Sequence, residues 1–91
     1  MSSRDDIAAV FDSMRDLVLE KNRRYGDSAL APRRCFSKLD GAQGILIRLD
    51  DKLSRIENSG ELRKNDIADL IGYLSLLCVA QGWTDFSELI D

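Results

Sequence analysis

Three short sets of polar residues hold the chemistry this chain can offer, each on one face of a helical pattern. Arg48, Asp51, Lys52 and Arg55 stand at i, i+3, i+4 and i+7, so they share one side of a helix and can touch one another or a common ligand. Asp66, Asp69 and Tyr73 do the same further along, at i, i+3 and i+7. Lys21, Asn22 and Tyr25 form a third set, where an apolar stripe turns polar while its period still points inward. Cations at this spacing can hold phosphate oxygens through charge-assisted hydrogen bonds. Carboxylates at i, i+3 can hold a hard cation such as Mg²⁺, which prefers oxygen ligands. A tyrosine can stack on a base.

Two explanations fit these residues. In the first, Arg48, Lys52 and Arg55 pair with Asp51, Asp66 and Asp69 in an ion network that ties helices together. Removing one member of such a network leaves an uncompensated charge. In the second, the residues line a ligand site. Metal, phosphate and base contacts then add up to a nucleotide, with Lys21, Arg48, Lys52 and Arg55 on phosphates. Asp51, Asp66 and Asp69 would hold the metal, or orient the cations where there is none. Asn22, Tyr25 and Tyr73 would contact base or sugar. In an enzyme, the metal would polarise a phosphoryl oxygen or generate hydroxide. Lys21 at the end of its helix also admits a plainer role, its stem covering the core edge and its ammonium in water.

The elements that must position these sets are helices. Ser3 and Asp6 resemble a capping box, and Ile7, Val10, Phe11, Met14, Leu17 and Val18 repeat at helical spacing, predicting a first helix to about Arg24 with a stop near Gly26. From Gly26 to Asp40 there is no period, and the stretch is far longer than the usual connection of roughly 4–6 residues. It carries Pro32 with Arg33, Arg34 and Lys38, a basic cluster that could reach phosphates or simply be solvated, while Phe36 and Leu39 would pin the loop to the core. Asp40 is a good N-cap for a second helix whose core stripe is Ile45, Leu49, Leu53 and Ile56, ended by Asn58-Ser59-Gly60. Gly41 and Gly44 in its first turns allow close backbone approach. They form no phosphate loop, for no Gly-Lys-Ser/Thr ending and no strand accompany them.

A third helix is expected from Asp66 to about Gln81, capped by Asn65 and stopped by Gly82. It is apolar on nearly every side, which predicts burial all round, inside the domain or partly at an oligomer interface. Ala68, Gly72, Ser75 and Val79 make a small-residue strip for a neighbouring helix. A short helix capped by Thr84 should follow, placing Trp83, Phe86, Leu89 and Ile90 on the core or on a second subunit. The expected fold class is therefore all-α: three main helices plus a short C-terminal helix in a bundle completed by oligomerisation.

Size and composition bound the rest. The 91 residues suffice for one domain, 1–91. A chain this small buries a modest share of its surface, so association with further copies is a natural source of stability. The net charge of -3 argues against non-specific nucleic-acid binding but leaves room for small phosphorylated ligands. There is no histidine, so cysteine–histidine and serine–histidine catalysis within the chain are excluded, and Cys35 and Cys78 alone argue against a zinc site. Cys78 sits in an apolar run and reads as a small core residue. The polar start Met1-Ser2-Ser3-Arg4-Asp5-Asp6 has no signal-peptide core, and no apolar run is long enough to span a bilayer, so a soluble cytoplasmic protein without membrane contact is expected.

Taken in order, Glu20-Lys21-Asn22-x-x-Tyr25-Gly26, Gly44-Ile45-x-x-Arg48-x-x-Asp51-Lys52-x-x-Arg55 and Asp66-x-x-Asp69-Leu70-x-x-Tyr73 resemble the nucleotide-modification-associated domain of phages and bacteria, the first of the domains so named. The blocks span roughly residues 17 to 80. The resemblance implies a small all-α domain of phage or prophage nucleotide metabolism. Arg24 departs from it, standing where the family form Lys-Asn-x-Asp-Tyr-Gly has an acidic residue, which puts any ligand role of that residue in doubt here. The wider layout is similar to the MazG-like all-α NTP pyrophosphohydrolases, which bind Mg²⁺ through acidic motifs on two adjacent helices. Asp66-x-x-Asp69 resembles their second motif. Their first, a glutamate pair, is absent, and Arg48, Asp51 and Lys52 stand in its place. This likeness implies a homo-oligomer with sites near subunit contacts and a Mg²⁺-dependent pyrophosphohydrolase. The alternative is a non-catalytic oligomer that sequesters a nucleotide or binds a host protein.

Overall fold

Local capping sets the helix ends in the computed structural model, which describes residues 2–31 and 40–90. Helix α1 spans Ser3–Tyr25, and Ser2, not Ser3, is its N-cap, its Oγ accepting from the Asp5 N–H at 3.2 Å. Asp5 and Asp6 in its first turn and Arg23 and Arg24 in its last complement the helix dipole. Gly26 ends it at φ 62°, ψ -151°, a conformation essentially reserved for glycine. Helix α2 spans Gly41–Ser59; the Asp40 carboxylate accepts from the Gln43 N–H at 2.8 Å, and Gly60 closes it in the left-handed conformation. Helix α3 spans Lys64–Ala80. It begins ahead of the expected Asn65 cap, because the Arg63 carbonyl accepts from the N–H groups of both Asp66 and Ile67. Gly82 follows its end at φ 77°. The tail forms only a three-residue 3₁₀ turn, Ser87–Leu89, with Phe86 and not Thr84 at its N-cap position, and the Asp85 carboxylate accepts from the Ser87 N–H at 2.9 Å.

The described residues are thus all-helical, as expected, with α3 in the middle. Helices α2 and α3 form the main contact, and α1 touches α3 alone. Lys52 meets Asp66 while Arg48 meets Tyr73, so α2 and α3 run antiparallel. Lys21 meets Asp69 while Gly72 faces Val18, so α1 is antiparallel to α3 as well. The two outer helices therefore lie parallel, with a trough between them and α3 as its floor. The small-residue strip works as expected at Gly72, where an added Cβ would lie 3.9 Å from Val18.

Little of the apolar surface is enclosed. Only Ile45 and Leu49 are buried among the described residues. Leu53, expected beside them, is exposed, and no residue of α3 is buried within the single chain, so its burial does not come from inside the domain alone. Every residue of α1 before Met14 is exposed, including Ile7, Val10 and Phe11, as are Trp83, Phe86, Leu89 and Ile90. The chain exposes 7597 Å², against about 5300 Å² for a folded monomer of its mass. Its radius of gyration is 14.9 Å, against about 12 Å for a compact domain of this length. No described helix is long and apolar enough to cross a membrane.

Candidate functional site

The trough holds two adjoining basins at the end where α1 finishes. The larger, of about 300 Å³, is framed by Met14, Leu17, Val18, Lys21, Asn22 and Tyr25 from α1 and by Ala68, Asp69, Gly72, Tyr73 and Leu76 from α3. Arg48 of α2 and the turn Gly26–Leu30 close it. The smaller, of about 160 Å³, is lined by Arg48, Asp51, Lys52, Arg55, Asp69 and Tyr73. Arg48, Asp69 and Tyr73 belong to both. Nine of the ten residues singled out from the sequence line one basin or the other; the tenth, Asp66, lies against Lys52.

Sequence reasoning missed two walls. One is the turn Gly26–Leu30, held because the Asn22 amide donates to the Gly26 carbonyl at 3.2 Å and to Asp27 Oδ1 at 2.9 Å. Asn22, expected on a base or sugar, thus commits its donors to the turn. The turn can pass close to α2 because position 41 is glycine, where a Cβ would fall on the Leu30 carbonyl. The other wall is the stripe Met14, Leu17 and Val18, expected in the core, which faces the cavity instead. Arg24, the departure from the family form, turns back along α1 and donates to Glu20 at 2.9 Å, beside Arg23. Together they hold the Glu20 carboxyl below the usual range, Arg23 having the larger effect. The basic cluster Arg33, Arg34 and Lys38, with Pro32, Cys35, Phe36 and Leu39, lies outside the described residues.

The two sequence readings divide among the residues. Lys52 reaches across from α2 and donates to Asp66 Oδ1 at 3.2 Å, and its ammonium lies 3.0 Å from Asp69 Oδ2. The Lys52 and Asp66 side chains are only 12 % and 13 % exposed. Asp69, first, and Asp66 raise the Lys52 pKa above the ordinary lysine value, so it is fully charged at neutral pH. The other oxygen of Asp69 lies 3.7 Å from the Lys21 ammonium. These four form the ion network, and their formal charges cancel. Arg48 and Arg55 pair with no carboxylate among the described residues, and the Arg48 guanidinium lies 6.0 Å from the centre of the Tyr73 ring. With Asp51 they leave one net positive charge in the smaller basin.

The carboxylates as they stand do not suit Mg²⁺, which takes oxygen ligands in near-ideal octahedral geometry. An ammonium stands where Asp66 and Asp69 both reach. What the arrangement offers is an apolar, tyrosine-walled cavity opening onto a cationic basin. Compared with known proteins, the chain matches no family model, no curated protein and no solved structure.

Proposed function

We propose that the trough binds a phosphorylated small molecule of the nucleotide class. Base and sugar would enter the larger basin between Tyr25 and Tyr73, and phosphates would lie on Arg48 and Arg55. The observation that carries this reading is the adjacency of the two basins, sharing Arg48, Asp69 and Tyr73. Ligand pockets run from roughly 300 Å³ upward, so a cavity of about 300 Å³ suits one base and sugar rather than a larger cofactor. The resemblance of the three sequence blocks to the nucleotide-modification-associated domain points the same way.

With Asp66 and Asp69 paired to Lys52, a binding or sequestering protein fits this geometry better than a MazG-like pyrophosphohydrolase. We also take the protein to work as a homo-oligomer, since its exposed apolar surface calls for a second copy.

Calorimetry with a panel of nucleoside mono-, di- and triphosphates, with and without Mg²⁺, is the test. At least one should bind. Hydrogen bonds to charged groups contribute about 1.5–3 kcal/mol, so Arg48→Ala should weaken that nucleotide roughly 10- to 100-fold while the helices stay formed. If the wild-type chain binds none of the panel, the reading fails.

A further inference from the structure

We propose that the Lys52 ammonium is the resident cation of this site, seated between Asp66 and Asp69 where a divalent metal would otherwise be held, so that ligands are taken without a metal ion. The clause about ligands rests on the binding reading above; the assignment of Lys52 does not.

Two carboxylates one turn apart on α3 converge on a single point, and a cation from the facing helix fills it at 3.0 and 3.2 Å. The second Asp69 oxygen is turned to Lys21, so the pair has cations on both sides. A metal ion at this point would contact a like charge that is 12 % exposed. It could enter only by expelling Lys52 and breaking its bonds to both carboxylates. A surface ion pair would yield easily, but this one lies in the seam between α2 and α3. A tethered ammonium is held at a high local concentration. Nor can it be removed by chelation or dilution. Together with Lys21 it balances the charge of Asp66 and Asp69 and thereby leaves Arg48 and Arg55 to attract an anion. A purely structural ion pair would show the same distances, but removing its lysine would leave no metal site behind.

The test is a Mn²⁺ titration of the full chain, with free Mn²⁺ counted by electron paramagnetic resonance and folding followed by circular dichroism. Wild type should take up no saturable Mn²⁺. Lys52→Met should take up one ion per chain, roughly tenfold or more above the wild-type uptake at the same free Mn²⁺, because the vacated carboxylates become oxygen ligands. Lys52→Gln, which keeps hydrogen-bonding capacity in the seam, should gain the same site, and Lys52→Met combined with Asp69→Asn should lose it. Saturable uptake by wild type that Asp69→Asn abolishes would overturn the proposal. So would lysine variants that bind Mn²⁺ no better than wild type. Since no nucleotide enters the titration, its outcome is independent of whether the trough binds one.

Discussion

Asn22 uses the hydrogens of its side-chain amide on the Gly26 carbonyl and on Asp27. Its i, i+4 reach past the helix end fastens the turn that closes the larger basin. Asn22→Asp keeps the shape but replaces both donated bonds with repulsion. The same turn carries the hydrogen bond from the Ala31 N–H to the Asp27 carbonyl at 2.6 Å. Hydrogen exchange at Ala31 should therefore speed up in this variant, with a loss of about 1 kcal/mol in local stability, while amides in the middle of α1 keep their wild-type rates. Unchanged exchange at Ala31 would mean that the turn holds itself. The residue scale also marks where sequence reading stops. Spacing along α2 puts Arg48, Asp51, Lys52 and Arg55 on one face, and that face lines the smaller basin. Whether Lys52 faces phosphate or carboxylate depends on the register of α2 against α3, and periodicity within one helix carries no information about the register between two.

At the scale of elements, Gly72 lets α1 approach α3. An added methyl group would meet Val18 at ordinary contact distance, and alanine is the better helix former. Gly72→Ala should therefore raise stability by about 0.5–1 kcal/mol in denaturant unfolding. Gly72→Leu should instead fill the larger basin and abolish nucleotide binding in calorimetry. A stabilised alanine variant beside a leucine variant that still binds would separate helix seating from ligand seating and place the ligand elsewhere. The caps at Asp40 and Gly60 were legible because each depends on a few adjacent residues. The caps assigned to Asn65 and Thr84 were not, since Arg63 and Phe86 hold those cap positions. Helix α3 was legible only in part. Its apolar composition demands cover, but the sequence does not say whether cover comes from its own chain, and in the single chain α3 is only half-buried.

The whole molecule exposes roughly 2300 Å² more than a compact chain of its mass, and an obligate dimer buries about 2000–5000 Å² in total. Exposed apolar side chains include Ile7, Val10 and Phe11 on the first half of α1 and Trp83, Leu89 and Ile90 on the tail. Sedimentation equilibrium should give at least twice the 10.2 kDa of one chain. Phe11→Glu should lower the mass toward one chain and make the protein easier to unfold; a wild-type mass of one chain would refute the oligomer. Helix α1 is about 34 Å long at 1.5 Å per residue, and among the described helices it packs on α3 and not on α2. Whatever fills the trough therefore adds to the turn Gly26–Leu30, which already runs from α1 against Gly41, a second bridge between the two outer helices. Ligand occupancy and the docking of α1 are then linked quantities: each molecule bound is worth RT ln(1 + [L]/Kd) to the closed arrangement, and loosening α1 weakens affinity by the same factor. A protein built this way would report the concentration of its ligand as the rigidity of its first helix.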